Sequence, residues 1–404
     1  MPQSSTLVSP DSTGRQSTRL PWGPLLALAA VGFLSVVTEL LPAGLLPEIG
    51  AAFGVGESQT GLLMAGYAAI IVVTVVPVMG ATARLPRRAV LLTALAAFAA
   101  SNLLVALSPA FPVALGARLV GGTAHGMVWS LVAPYVARLV PEEKVGRSMA
   151  VVLGGPSLAA AAGTPLATLL GGAVGWRVSF AVLAAVVLAL AIVVRLVVPA
   201  VPGSDGSEPV SVVAALRRPG LPIIATAWPL LAVAHFTLLT YIAPVLLDAG
   251  LPNSATSLAL SALGVAGLGG IWVAGRTVDS CPRRSLLVTL AIWVLSLLGL
   301  SVLAGQLGAA LLLVGLWGGA ITAGTIYNQV ALLRAAGPLK DPATTLIVLA
   351  TQVGVGVGSV YGGLALDAAG SAVVPLAAAV PAALALTITL KARRAAYPPG
   401  PMER

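Results

Sequence analysis

Arg118, His125 and Trp129 share one face of a run, Phe111 to Val136, that is otherwise apolar. At about 100° per residue the three fall within roughly 40° of one another, with Gly122 between them. A cation, an imidazole and an indole on one stripe of an apolar helix allow two readings. Lipid penalises such a face, so it looks into a protein interior or a water-filled cavity. Alternatively the stripe is a seam, where Gly121 and Gly122 admit a close neighbour and the polar groups bond across it. A fixed charge inside a membrane needs a reason to be there, which favours the cavity.

Glu39 is the matching acid. It lies about 10 Å below the outer end of the first apolar run, and Arg118 about 9 Å below the outer end of the fourth. A pair across a cavity follows, since each charge alone is costly in hydrocarbon; the alternative is that Glu39 snorkels to the headgroups. Proton handling is the chemistry these groups support, with Glu39, Arg118 and His125 as the coupling set and no catalytic residue. His125 and His235 each have a second reading, as satisfied hydrogen-bond partners. Candidates for holding a solute are Tyr67, Trp129, His235, Thr240, Tyr241, Asn328 and Gln352. Aromatic residues make up only 5% of the chain, which points to small or polar cargo.

The elements that must position these residues are membrane helices. The chain of 404 residues is 58% hydrophobic and 9% charged, a composition that no soluble globular class shares. Twelve apolar runs stand near 22–46, 58–80, 88–108, 112–137, 148–170, 177–199, 221–247, 256–276, 285–305, 309–333, 344–366 and 371–390. The net charge of +9 is not a nucleic-acid signal. Of the 22 basic residues, 20 fall before the first run, after even-numbered runs or in the tail; Arg118 and Arg177 are the exceptions. The positive-inside rule then places both termini in the cytoplasm. The single Cys281 excludes an internal disulfide framework, and one cysteine, two histidines and no soluble output domain argue against a membrane-embedded enzyme or receptor. No metal or cofactor is expected. Gly354-x-Gly356-x-Gly358 lies inside an apolar run and is no nucleotide loop. The expected partners are a small-molecule substrate, protons and the lipid bilayer, with the chain acting as a monomer.

The second half repeats the first. Gly275-Arg-Thr-Val-Asp-Ser-Cys-Pro-Arg-Arg matches the loop from Gly80, and Gly121-Gly122 to Pro141 matches Gly318-Gly319 to Pro338 without a gap. This predicts an all-α integral membrane protein of two six-helix bundles, residues 21–199 and 221–390. A disordered cytoplasmic segment, 1–20, a linker, 200–220, with a short amphipathic helix over Val210–Leu216, and a tail, 391–404, complete the chain.

With these motifs the chain resembles the major facilitator superfamily, in its twelve-span drug:proton antiporter branch. The superfamily's loop signature is matched at Gly275, Asp279, Arg283 and Arg284, and in part at Gly80 and Arg88, where Arg84 stands in place of the acid. The basic motif of span four is matched at Arg118 and Gly122. The antiporter motif of span five is partly matched at Gly154 and Gly163, followed by Pro165. Thr38-Glu-Leu-Leu-Pro-Ala-Gly-Leu45, Ala124-His-Gly-Met-Val-Trp-Ser130 and His235-Phe-Thr-Leu-Leu-Thr-Tyr-Ile-Ala-Pro244 are similar to bacterial sugar efflux and arabinose-type efflux permeases. The resemblance implies the twelve-helix major facilitator fold, a bacterial inner-membrane location and proton-coupled export of sugars or small drugs. Export of antibiotics or nucleosides, and uptake by the same fold, are the alternatives it leaves open.

Overall fold

The structure, a computed structural model, describes residues 20–82, 84–203, 216–278, 280–336 and 339–392. Asp279, the polar N-terminal segment, the amphipathic stretch before Leu216 and the tail beyond Ala392 lie outside the described residues. Among those described, the secondary structure is helical throughout, with no strand.

The first half contains α1 (Trp22–Gly44), α2 (Leu46–Phe53), α3 (Glu57–Thr82), α4 (Arg87–Leu107) and α5 (Phe111–Leu139). It continues with α6 (Glu142–Leu158), a π-helical turn (Ala159–Gly163), α7 (Thr164–Val174) and α8 (Trp176–Val197). The second half contains α9 (Leu221–Thr240), α10 (Ile242–Asp248), α11 (Ser254–Thr277), α12 (Pro282–Leu303), α13 (Leu307–Ala336), α14 (Lys340–Ala369) and α15 (Val374–Lys391). Apolar side chains gather into two cores. One is drawn from residues between Leu25 and Val201, the other from residues between Leu221 and Ala385 with Leu46 added.

Twelve spans are expected from the sequence, and among the described residues eleven helices are long and apolar enough to cross a membrane. The helix outside that set is α5. Its 29 residues reach about 43 Å at 1.5 Å per residue, ample for a bilayer of about 30 Å. Arg118, His125 and a run of glycines dilute its hydropathy, so the helix with the most chemistry gives the weakest membrane signal.

Glycine pairs set the helix spacing at equivalent places. A Cβ on Gly122 would meet the Tyr67 carbonyl and Ile70 of α3, and one on its counterpart Gly319 would fall 3.2 Å from the Ala266 carbonyl of α11. In a bilayer, where association depends on close packing rather than water exclusion, such contacts hold neighbouring spans together. Gly155 packs on the Ala29 backbone, and Gly163 sits where a Cβ would fall 2.7 Å from Phe33 and Val37; Gly154 faces open space. Pro165 follows in the first turn of α7.

Loop arginines tie the bundles at their other ends. The Arg88 guanidinium donates to the Val198 carbonyl at 3.2 Å, and that of Arg283 to Leu390 at 2.9 Å. Both acceptors stand where α8 and α15 end and the carbonyls have no helical partner. Arg284 lies in the first turn of α12. Gly80 and Gly275 meet nothing within 4 Å of an added Cβ.

Candidate functional site

The site is organised by a break in the first span. Pro42 has no N–H, so the Thr38 carbonyl four residues back loses its helical donor. The chain turns at Leu45, φ −127° and ψ 20°, whose N–H bonds back to Pro42 at 3.2 Å, before α2 resumes. Arg118 supplies what the proline removed. Its Nη1 donates to the Thr38 carbonyl at 2.7 Å, Nη2 to the Glu39 carbonyl at 3.1 Å and Nε to the Leu63 carbonyl of α3 at 3.2 Å. The guanidinium is fully buried and stacks 4.0 Å from the centroid of Tyr67.

This corrects the expected pairing of Arg118 with the Glu39 carboxylate. The depths do match, but the guanidinium bonds the backbone of α1 and α3, because a proline-orphaned carbonyl in hydrocarbon has an absolute need for a donor. The carboxylate finds other partners. Glu39 Oε1 accepts from Gln352 Nε2 of α14 at 3.4 Å, and Oε2 lies 3.8 Å from His125 Nε2. His125 Nδ1 pairs with the Tyr67 hydroxyl at 3.1 Å. A chain of groups therefore runs Tyr67, His125, Glu39, Gln352, across α3, α5, α1 and α14. Its last member comes from the opposite half of the molecule. Glu39 is 8% exposed, so the carboxylate belongs to the interior and not to the headgroups. The indole of Trp129 lies 6.1 Å from the imidazole of His125. Arg118 and His125 thus face the interior while Gly121 and Gly122 on the same helix form the seam.

The candidates for holding a solute do not converge on one cavity. Tyr67 and Gln352 belong to the Glu39 chain. Thr240 donates to the Phe236 carbonyl at 2.6 Å and pairs with Ser359 at 3.0 Å, joining α9 to α14. Tyr241 donates to the Ser359 carbonyl at 2.8 Å and reaches the Ser58 carbonyl of the first half at 3.5 Å. His235 and Asn328 line a cavity inside the second half, with Trp228, Phe236, Trp293 and Thr351. Trp228, Trp293 and Thr351 were not singled out from the sequence; a tryptophan in an apolar helix gives no sign of the cavity it borders.

Among the described residues, the halves meet from one end to the middle of the interface. Gly61 and Gly363 pack on Tyr241 and Ser58, Gly356 lies beside Ala65 and Ala68, and Gly264 of α11 rests on the Ala161 backbone of the π turn. On α3 these contacts run from the Glu57 end to the middle. Ala65 and Val76 share a face within about 20°, yet Ala65 is buried and Val76 is 66% exposed. The interface therefore parts toward the loop that precedes α4.

The family model of the Major Facilitator Superfamily matches residues 28–337. The chain belongs to the major facilitator superfamily. A chloramphenicol efflux pump of Mycobacterium tuberculosis is 32% identical over 373 residues, 89% of this chain and 90% of the relative. A "Probable sugar efflux transporter" of Mannheimia succiniciproducens is 30% identical over 370 residues, 91% and 93% of the two chains. Among solved structures, a bacterial homologue of the human lysosomal transporter Spinster, inward-facing and unoccupied, superposes with a TM-score of 0.69 at 15% identity, over 93% of this chain and 99% of that one. This facilitator is thus a multi-span membrane transporter, its bacterial efflux relatives consistent with the inner membrane. The superfamily consists of transporters, not enzymes.

Proposed function

We propose that this facilitator is a proton-coupled exporter of small drug-like molecules or sugars, with both termini in the cytoplasm and the closed end of the interface outward. The hydrogen bond from Gln352 to Glu39 carries this reading, because it places a titratable carboxylate under the control of the other half. An ionised carboxylate in a low-dielectric interior needs donors. Gln352 supplies one across the interface, so ionised Glu39 holds the halves in the outward-closed arrangement. Empty and deprotonated, the transporter stays put and does not leak protons.

Cargo entering from the cytoplasm loosens Gln352 and lets the halves rock around the site. Cargo leaves on the outside, Glu39 takes a proton there, and the neutral carboxyl no longer needs the cross-half donor. The protonated form returns and releases its proton inward through the parted end, passing His125 and Tyr67. Each proton moving inward through 100 mV supplies about 2.3 kcal/mol. The relatives named for chloramphenicol and for sugars support an export direction and a small cargo.

The test is transport into everted vesicles with and without an imposed pH gradient, acid inside, using chloramphenicol and arabinose as cargoes. Uptake into the vesicles that rises with the gradient and collapses with a protonophore supports the reading. Gradient-independent equilibration of either cargo indicates facilitated diffusion and ends the antiport scheme.

A further inference from the structure

The turn of α1 that carries Glu39 is gripped from two helices. Arg118 of α5 takes its carbonyls, at Thr38 and Glu39. The second grip comes from α4, which packs against α5 and α8. Asn102 of α4 donates from Nδ2 to the Thr38 hydroxyl at 3.3 Å. Both side chains are fully buried, and the Asn102 Oδ1 meets no donor among the described residues. The neighbouring Ser101 donates to the Ala117 carbonyl at 2.7 Å, one residue before Arg118, and lies where a Cβ on Gly121 would fall. Helix α4 therefore touches both sides of the proline break, α1 through Asn102 and α5 through Ser101.

The two grips constrain different motions. Carbonyls lie close to the helix axis and point along it, so the Arg118 bonds fix the height of the turn. The Thr38 hydroxyl stands farther from the axis, so a bond to it resists rotation with a longer lever. Successive side chains are about 100° apart. Pinning Thr38 to α4 therefore sets the direction in which Glu39 leaves α1, toward His125 of α5 and Gln352 of α14. The second half shows that packing does not require this polar pair. With the two breaks aligned Thr38 corresponds to Ala234, and with the two arginine loops aligned Asn102 corresponds to Leu297. Both are fully buried in the second core. A shape-matched apolar pair can be as stable as a polar one or more so, and leaving Oδ1 unmet is a net cost. One use of a buried polar pair held at such a cost is to fix the register of packed helices.

We propose that Asn102 is a positioning residue for the proton step: through the Thr38 hydroxyl it fixes the rotation of α1 and aims the Glu39 carboxylate at Gln352 and His125. The role rests on the coupling reading above. Asn102 carries no proton itself and acts through Thr38. Without its grip α1 turns, the bond from Gln352 to Glu39 slackens, and the outward-closed arrangement loses its cross-half tie.

The experiment measures two quantities in the full chain. One is cargo-independent proton leak in pyranine-loaded proteoliposomes; the other is the infrared carboxyl band of Glu39, identified by its loss in Glu39→Gln. Thr38→Ala/Asn102→Leu gives the first half the residues of the second. It keeps the melting temperature, shifts the carboxyl band and raises the leak about tenfold, equivalent to 1.4 kcal/mol. Thr38→Val removes the hydroxyl alone and moves leak and band in the same way, so it decides if the double variant does not fold. Thr38→Ser restores the hydroxyl and returns both to the level of the parent. Adding Asn102→Leu to Gln352→Ala raises the leak no further, because both changes act on one bond. A lowered melting temperature with leak and band unmoved, an additive leak in that pair, or an unmoved band in Thr38→Val overturns the proposal. A band that shifts while Gln352→Ala leaks no more than the parent would instead fault the coupling scheme and leave Asn102 as the residue that aims Glu39.

Discussion

Glu39 stands six residues before the break that ends α1, and His235 six before the break that ends α9. The breaks themselves match: Tyr241 turns at φ −113° and ψ 21°, and its N–H bonds back to Leu238 at 3.1 Å, as that of Leu45 does to Pro42. Everything around the two positions differs. In the first half a proline three residues before the break orphans a carbonyl, and Arg118, three residues before its glycine pair, supplies the donor. In the second half the corresponding residues are Leu238 and Gly315. Leu238 has the N–H that Pro42 lacks, so the carbonyl four residues before it is not orphaned there, and glycine stands where Arg118 does. His125 has Thr322 as its counterpart, whose hydroxyl bonds its own helix at Gly318. One break has thus become a filled polar network with a titratable end, and the other an aromatic cavity with a lone imidazole. Under the proposed antiport reading, a duplicated scaffold can give its copies different tasks, since a packed ion network and an open apolar pocket place opposite demands on the same space.

The largest test of this division is Glu39→Gln. It should abolish gradient-driven accumulation in everted vesicles, by about two orders of magnitude as for loss of a group acting in proton transfer, with the protein still present in the membrane. Undiminished export would remove the carboxylate from the coupling and make the first half merely structural.

Gln352→Ala comes next. Without the cross-half donor the ionised carboxylate no longer holds the closed arrangement, so cargo-independent proton leak should rise and export per proton should fall severalfold. Gln352→Glu should not restore coupling, because it places a second acid beside the first. A pyranine-loaded proteoliposome reads the leak directly, and a leak equal to that of the parent would disconnect the halves at this point.

Arg118→Ala addresses the proline argument. Leaving the Thr38 carbonyl without a donor should lower stability by about 1–3 kcal/mol, read as a lower melting temperature in detergent. In a Pro42→Ala background residue 42 has an N–H for that carbonyl, so the same change should cost less. Equal losses in both backgrounds would show that the guanidinium serves the helix break no better than any other packing.

The smallest effect is expected from Tyr241→Phe. It removes the hydroxyl that donates to Ser359 and reaches Ser58 across the interface, a net contribution of about 0.5–1.5 kcal/mol. Hydrogen exchange at the start of α3 should quicken modestly while cargo binding is kept. No change there would shift the weight of outer closure onto glycine packing at Gly61, Gly264 and Gly363.

Hydropathy and charge placement in the linear chain were enough for the helical membrane architecture, because hydrocarbon leaves a backbone few alternatives and long apolar runs must become helices. The repeated glycine pair and arginine loops likewise disclosed the duplication, and helical periodicity put Arg118, His125 and Trp129 on a common stripe. Periodicity does not say which atom a side chain will meet. Arg118 and Glu39 had matching depths, yet folding sent the guanidinium to backbone carbonyls and gave the carboxylate to His125 and Gln352. Those partners lie in other spans, Gln352 313 residues away along the chain, and their meeting follows from how glycine-lined helices pack. The aromatic cavity is of the same kind. A chain with 5% aromatic residues reads as poor in them, and only packing of α9 and α12 in three dimensions gathers Trp228, Phe236 and Trp293 around a single imidazole.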